Sequence, residues 1–504
     1  MTVAPRLSIV LLPTAVSDGE ARSLASLHGQ ETTDWELLRA DGADAASVDR
    51  AIRGAQGEFV LLLDAGDSLA PHALATVAGA LADDVDFLYT DEDVLDGPIH
   101  REPFYKPDWS PDRLRNQHYT GRLAVFRRAV LEAAGGMRPV AGTAFEYDVA
   151  LRVGERARRV VHVPEAVYHR ANAPTATPEH QRDAVRVVEE SLARTGAHLR
   201  AELDDAGTGL RLQPALREHP KISVVIPTAG VRRHVRGTYR ALVENCVRTM
   251  VERSTYPDYE IVCVYDTTTD PETVAELREV GGDRLRLVEF EGPFNFAHKI
   301  NRGAVESRGE FLLLLNDDTE TCTPAWMEHM LAFALDDGVG AVGGKLLFGD
   351  NRIQHAGVIL HRGNPGHPYY GYPADFDGYH SQLRVVSNCL AVTAACLLVR
   401  KAHFERVGGL AGVFPRNYND VDFCLKLHAQ GLRNVFTPGA TLFHYESSSR
   451  GTRPVEPSER GFLEERWGPV LERDPYYNPN FVPGGNYLTL VAPDGRSAPQ
   501  RGIV

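Results

Sequence analysis

The sequence predicts an α/β protein in which one architecture occurs twice, a mostly parallel sheet covered by helices in each half. Three observations predict it. Short apolar runs alternate with stretches of helical period along all 504 residues, a length that suits two large domains. The runs end on acidic residues or on Pro-Thr, the punctuation of a buried strand entering a loop. Segments of the first half recur in order in the second, so two domains are expected, 1–215 and 216–504.

The recurring segments justify the elements in turn. R-L-S-I-V-L-L-P-T (Arg6–Thr14) and K-I-S-V-V-I-P-T (Lys221–Thr228) are buried strands that stop at Pro-Thr. R-G-A-Q-G-E-F-V-L-L-L-D-A-G-D (Arg53–Asp67) and R-G-A-V-E-S-R-G-E-F-L-L-L-L-N-D-D-T (Arg302–Thr319) follow next. Each reads as a helix end, a Gly-Glu turn, an apolar strand and acidic residues at the strand's C-terminal end. Arg127–Met137 matches Arg400–Leu410, Phe145–Asp148 matches Asn419–Asp422, and Val163–His169 matches Thr437–His444 with one residue inserted. Pro214 and Pro220 bracket a polar stretch, Leu212–Pro220, that reads as the linker. Ligands of such sheets sit at the strands' C-terminal ends, where the acidic residues fall in both halves.

Composition excludes several classes. Hydrophobic residues at 43% and charged residues at 24% are those of a folded protein rather than a disordered one. The net charge of −14 argues against a nucleic-acid coat, though not against one anionic ligand in a local pocket. No apolar run approaches the roughly 18–20 residues that span a bilayer. Met1 to Pro13 lacks the features of a secretory signal. The six cysteines form no C-x-x-C pair and several lie in apolar runs, which reads as buried free thiols in a reducing compartment, hence the cytoplasm.

The second half carries the chemistry-bearing residues. In L-L-L-L-N-D-D-T an apolar strand delivers Asn316, Asp317 and Asp318 to its end. Crowded carboxylates repel unless a cation joins them, and hard ions such as Mg²⁺ or Mn²⁺ take such oxygens together with phosphate. A solvated turn or a helix cap is the competing explanation. In F-P-R-N-Y-N-D-V-D-F-C-L-K-L, Asp420 and Asp422 open a stretch of helical period, as caps or as the site of a general base. His444 follows another strand, and His169 is its twin in the first half.

Together these stretches resemble the inverting glycosyltransferases of family 2, which have a GT-A fold. The nearest in type are bacterial polysaccharide enzymes that transfer rhamnosyl or galactofuranosyl groups. The resemblance rests on I-S-V-V-I-P-T, F-N-F-A-H-K-I-N-R-G-A, L-L-L-L-N-D-D-T, R-I-Q-H-A-G-V, N-Y-N-D-V-D-F-C-L-K-L, R-W-G and D-P-Y-Y-N-P-N-F, covering nearly all of 216–485. It implies two tandem GT-A-like domains, the second catalytic. It implies that Asp318 and His444 bind Mn²⁺ or Mg²⁺, that Asp317 lies near the ribose, and that Asp420 is the base. Pro227, Thr228 and Asp266 would line the nucleotide, and Lys299 and Asn301 would sit near the nucleotide sugar. Asn316 departs from the family's D-x-D pattern at its first position.

The implied activity moves a sugar from a UDP- or dTDP-linked donor to a hydroxyl of a glycan acceptor in polysaccharide biosynthesis. The acceptor is expected at the inner face of the cell membrane, lipid-linked or free, with any membrane contact peripheral. The alternative is a non-catalytic carbohydrate- or partner-binding protein built from such domains. A nucleotidyltransferase is disfavoured because Pro227-Thr228-Ala229-Gly230 is a poor Gly-rich signature.

The first half acts as an internal control. Its acidic position reads Asp64-Ala65-Gly66 followed by Asp67, so Gly66 stands where Asp318 stands, and Glu146 occupies the base position. The stretch between Asp41 and Ile52 is far shorter than that between Asp266 and Asn301, which removes about one strand. A damaged donor site is expected, with Asp67 the one candidate substitute. Tyr89–Asp93 and Lys106–Ser110 either bind acceptor or shape the fold. Gly338–Gly343 spells G-x-G-x-x-G but leads into a strand instead of opening a helix, against dinucleotide binding. The Gly/Pro/Tyr-rich stretch 361–380 reads as a long mobile loop whose Tyr369, Tyr370 and Tyr372 either stack on sugar or are simply exposed loop aromatics.

Overall fold

A computed structural model of the chain describes residues 5–13, 19–173, 177–204, 207, 209–361, 364–445, 455–481, 490–491 and 497–498. Thr14, the last residue of the first recurring segment, lies outside them. Chain contacts divide the molecule into two units. The first comprises Met1–Gly196, Ala201–Leu212 and Asn478–Asn480; the second comprises Ala197–Arg200, Gln213–Tyr477 and Phe481–Val504.

The first unit holds an eight-stranded sheet. Its strands are β1 (Leu7–Leu12), β2 (Trp35–Arg39), β3 (Phe59–Asp64), β4 (Ser68–Leu69), β5 (Phe87–Asp96), β6 (Ile99–Phe104), β7 (Ala124–Arg127) and β8 (Val160–Arg170). Their order is β2-β1-β3-β7-β5-β8-β4, with β6 on β5. A hairpin of β9 (Leu199–Leu203) and β10 (Leu210–Pro214) comes next in the chain.

The second unit begins with β11 (Ile222–Thr228), β12 (Arg232–Val235), β13 (Thr238–Ala241), β14 (Tyr259–Asp266), β15 (Leu285–Phe290), β16 (Phe311–Leu315) and β17 (Thr319–Thr321). It continues with β18 (Val339–Leu347), β19 (Ile353–His355), β20 (Ile359–His361), β21 (Asn364–Gly366), β22 (Ser387–Cys389), β23 (Cys396–Arg400) and β24 (Arg433–His444). Its ten-stranded sheet runs β15-β14-β11-β16-β23-β18-β24-β17, with β19 on β18 and β22 on β24.

Along the main path, and apart from the added β15, the second sheet has the strand order of the first. The sense of each shared pair is also the same. β1 is parallel to β2 and β3, as β11 is to β14 and β16. β7 and β23 run against both neighbours, so the strands on either side of each point the same way and most strands are parallel. The added edge strand β15 is the strand that the short first-half segment lacks.

Burial explains the apolar runs. All six residues of β1 and all seven of β11 are buried, as expected where helices cover both faces of a parallel sheet. β11 continues through Pro227 and Thr228 instead of stopping before them. It pairs with β16 only from Ile222 to Val225, so the missing N–H of Pro227 interrupts no ladder on that side.

Two expectations for the second unit need correction. The stretch 361–380 is not an open loop, for β20 and β21 form a hairpin at its start. Nor are all three of its tyrosines free to stack on sugar. Tyr369 is buried, its hydroxyl donating to Gln382 Oε1 at 2.9 Å, and Tyr372 packs on the core, leaving Tyr370 exposed. The G-x-G-x-x-G stretch opens no helix, because Val339–Leu347 is a fully buried strand. The six cysteines carry free thiols. No helix among the described residues is long and apolar enough to cross a membrane.

Candidate active site

The strand ends of the second unit open onto a cavity of about 510 Å³. Its lining includes Pro227 and Thr228 from β11, the Asn316-Asp317-Asp318 turn after β16, Thr393–Ala395 before β23, Arg416–Val421 around a helix start, and His444 at the end of β24. Of the residues expected at a donor site, Pro227, Thr228, Asp317, Asp318, Asp420 and His444 therefore share one cavity.

The turn after β16 is held from both sides. Thr228 Oγ1 donates to Asp317 Oδ2 at 2.6 Å. Lys299, on the helix Phe296–Glu306, is completely buried; its ammonium donates to Thr228 O (2.8 Å) and pairs with Asp266 (2.7 Å). Lys299 and Asp266 are thus placed beneath the cavity wall, and neither lines it. Asn301 does not line it either: its amide brackets the backbone of Leu410, donating to the carbonyl at 2.8 Å and accepting from the N–H at 2.9 Å.

Asp318 and His444 meet directly. Asp318 Oδ1 lies 3.0 Å from His444 Nε2, and both side chains are almost fully buried. Gln354 Oε1 accepts from His444 Nδ1 at 2.6 Å, which places the proton-bearing Nδ1 on Gln354 and turns Nε2 toward Asp318. The Asn316 amide reaches the same Nε2 at 3.1 Å. A carboxylate oxygen and an imidazole lone pair brought together in a buried place fit a divalent cation, which would be held by Asp318 and His444 with Gln354 orienting the ring.

Asp420 and Asp422 have separate surroundings. The carboxylate of Asp420 accepts from the amides of Ala394 (3.1 Å) and Val421 (2.9 Å), which hold it at the cavity. Asp422 is fully buried against Trp467 Nε1 (2.9 Å) and Arg466 (3.1 Å), a packing role. Tyr418, just before the helix Asn419–Ala429, has φ 60°, a left-handed conformation rare for a residue with a Cβ. Glu459 supports this turn by accepting from the amides of Arg416 and Asn417 at 2.8 and 2.9 Å. Backbone strain of this kind gathers at functional sites.

Sequence reasoning missed Gln354, Glu459 and the Thr393–Ala395 turn. Gln354 does lie in the R-I-Q-H-A-G-V stretch. His367, in the lining, is 2.9 Å (Nδ1 to Nδ1) from His355, whose burial, followed by the charges of His367 and His444, holds its pKa well below the usual histidine value.

At the same strand end of the first unit, Arg122 forms a bidentate pair with Asp64 (Nε to Oδ2 3.1 Å, Nη2 to Oδ1 2.9 Å) and an ion pair with Glu146. Gly66 has φ +110°, a conformation that strains any side chain placed there. Asp67 accepts from the Tyr168 hydroxyl (2.6 Å) and the Ala171 amide (2.8 Å), and burial raises its pKa. Tyr89–Asp93 and Lys106–Ser110 build a buried network. The Lys106 ammonium donates to Glu92 (3.0 Å) and Thr120 O (2.7 Å), and His162 bridges Asp91 and Asp108 at 2.9 Å each. Burial pushes the Glu92 carboxyl up, but Lys106 and Arg170 outweigh it and hold the pKa at about 2.

A family match falls on the unit that holds this cavity. Residues 223–407 match the family model described as Glycosyl transferase family 2. The chain is 34% identical over 508 residues to the O-antigen biosynthesis protein RfbC of Myxococcus xanthus, covering 98% of this chain and 38% of the relative. It is 34% identical over 478 residues to protein y4gI of Sinorhizobium fredii, covering 90% of this chain and 52% of the relative. The chain thus spans about half or less of the length of these relatives. Among solved structures it is similar to a Pyrobaculum calidifontis mannosyltransferase in complex with GDP-Man and Mn²⁺ (TM-score 0.33, 17% identity, 50% of this chain and 70% of that one). It is also similar to GalNAc-T7 with UDP, GalNAc and Mn²⁺ (TM-score 0.40, 13% identity, 58% of this chain and 57% of that one). The second unit of this chain therefore carries a glycosyl transferase family 2 domain, matched over residues 223–407.

Proposed function

We propose that the chain is an inverting, metal-dependent glycosyltransferase of polysaccharide biosynthesis, with its chemistry in the second unit. It would move a sugar from a UDP- or dTDP-linked donor to a hydroxyl of a glycan acceptor. Transfer of rhamnosyl or galactofuranosyl groups is the finer form of the proposal. The observation that carries it is the convergence of Asp317, Asp318, His444 and Asp420 on one cavity at the strand ends. The first unit is read as a second, GT-A-like copy with a closed donor site, and the acceptor as a growing glycan, lipid-linked or free, met at the cytoplasmic face of the membrane.

The residues divide the work. Asp318 and His444 would hold Mn²⁺ or Mg²⁺, and the imidazole in this set favours Mn²⁺. When bound, such an ion supplies Lewis-acid stabilisation of a diphosphate leaving group, an effect of several kcal/mol. Pro227, Thr228 and Asp317 form the wall proposed for the nucleoside. Lys299 and Asp266 hold that wall from below rather than touching the donor. Asp420 takes the proton of the acceptor hydroxyl as it attacks the anomeric carbon, a contribution of about 10²–10⁴ in rate. One displacement inverts the anomeric configuration.

The test is turnover of UDP- and dTDP-sugars with Mn²⁺, comparing the wild type with Asp420→Asn. Release of the nucleoside diphosphate by the wild type and its loss in Asp420→Asn, with donor binding kept, is the expected result. Equal turnover by the two proteins contradicts the assignment of the base. Absence of turnover and of donor binding in the wild type favours the non-catalytic binding protein.

A further inference from the structure

A second ligand set lies in the first unit, at residues that the proposed reaction does not use. Asp93 stands between two imidazoles. Its Oδ1 is 2.7 Å from His169 Nδ1 and its Oδ2 is 2.8 Å from His100 Nδ1. The two rings are 4.7 Å apart and inclined at 72°. One donor atom from each of the three residues lies within 4.8 Å of the others, the one such group of histidine, cysteine and carboxylate side chains among the described residues.

The sheet puts them there. Asp93 on β5 is directly opposite His169 on β8. On the other side, β6 pairs with β5 so that His100 faces Leu95, one position diagonal from Asp93 on the same face. Three adjacent strands therefore present the set, and strands hold ligands more firmly than loops do. Asp93 and His169 are buried, with side chains 6% and 11% exposed, while His100 is 55% exposed. The group is thus closed on one side and open to water on the other. His169 also differs from its counterpart: His444 is held by the neutral Gln354, His169 by a carboxylate.

We propose that Asp93, His100 and His169 bind a divalent transition ion of the zinc class, tying the β5–β6 hairpin to β8. Two imidazoles and one carboxylate suit Zn²⁺, Co²⁺ or Ni²⁺ better than Mg²⁺, and three protein ligands with an open side leave room for water as the fourth. Zinc bonds of about 2.0–2.2 Å require the three donors to close in slightly, a movement the exposed His100 can supply.

The experiment uses the full chain after treatment with chelator. Co²⁺ is titrated in while its visible absorption is followed, and Zn²⁺ is then added as competitor. His100→Ala and His169→Gln are compared with the wild type, and Asp318→Ala removes the other proposed metal ligand. The expected result is a four- or five-coordinate Co²⁺ band in the wild type and in Asp318→Ala, displaced in Asp318→Ala by one equivalent of Zn²⁺. The same ion should bind at least tenfold more weakly to His100→Ala, whose far-UV circular dichroism should match that of the wild type. A wild type without the band, a His100→Ala variant that binds equally well, or loss of the band in Asp318→Ala overturns the proposal. In the first two cases the three residues form only a hydrogen-bonded clasp.

Discussion

The two units share a strand order and differ at one strand end. After β16 the second unit places Asn316, Asp317 and Asp318 beside His444, with the Asp420 carboxylate on the same cavity. After β3 the first unit places Asp64, and Arg122 clamps it to Glu146. The registers explain the contrast. Phe59 of β3 pairs with Arg127 and Phe311 of β16 pairs with Arg400, so Arg122, five residues before Arg127, corresponds in position to Ala395, five residues before Arg400. A methyl group leaves space for a ligand, whereas a guanidinium fills it and neutralises the carboxylates from within. One strand order thus carries either an open cavity lined by carboxylates and a histidine or a partly exposed charge network.

The largest expected effect separates the two acidic positions. Asp420→Asn should lower kcat by about 10²–10⁴, while Glu146→Gln leaves it within about twofold. Equal losses in a transfer assay would place chemistry in both units. Next, Arg122→Met should destabilise the first unit by about 2–3 kcal/mol, since Asp64 and Glu146 lose a shared partner while remaining partly exposed to water. Urea unfolding followed by far-UV circular dichroism reads this. An unchanged midpoint would mean that the clamp is not holding the closed site.

A smaller effect is expected from Gln354→Leu. Loss of the group that orients His444 should weaken Mn²⁺ binding about 10–100-fold without removing a ligand. Calorimetric titration with Mn²⁺ measures it, and unchanged affinity would show that the ring needs no such partner.

A last effect concerns pH. His118, stacked on Tyr147 with ring centroids 4.9 Å apart, is pushed down to about 3 by burial. It is neutral in the folded chain and takes up a proton near pH 6.5 once unfolded. Its contribution is therefore complete above about pH 6.5 and is lost as pH falls from there toward about 3, at up to about 1.4 kcal/mol per pH unit. The dependence of Tm on pH between about 7 and 5 should flatten in His118→Gln.

Much of this contrast was legible in the chain. Apolar runs ending in carboxylates set the strands and the cavity end, and Gly66, at the position matching Asp318 in the recurring segments, already set the two halves apart. The donor-side residues were less legible. Lys299, Asp266 and Asn301 hold the wall and the Leu410 backbone, a role that spacing alone does not distinguish from contact with a ligand. Arg122 lies in no recurring segment and was invisible until the registers aligned it with Ala395. The stretch 361–380 looked irregular because glycine, proline and tyrosine suggest loops, but the burial of Tyr369 ties it to the core.

The most direct test of the central claim, that only the second unit binds donor, is the stoichiometry of nucleotide-sugar binding in the presence of Mn²⁺. Calorimetric titration of the wild-type chain should give one donor per chain, and Asp318→Ala should give none. Two donors per chain, or one retained in Asp318→Ala, would contradict it.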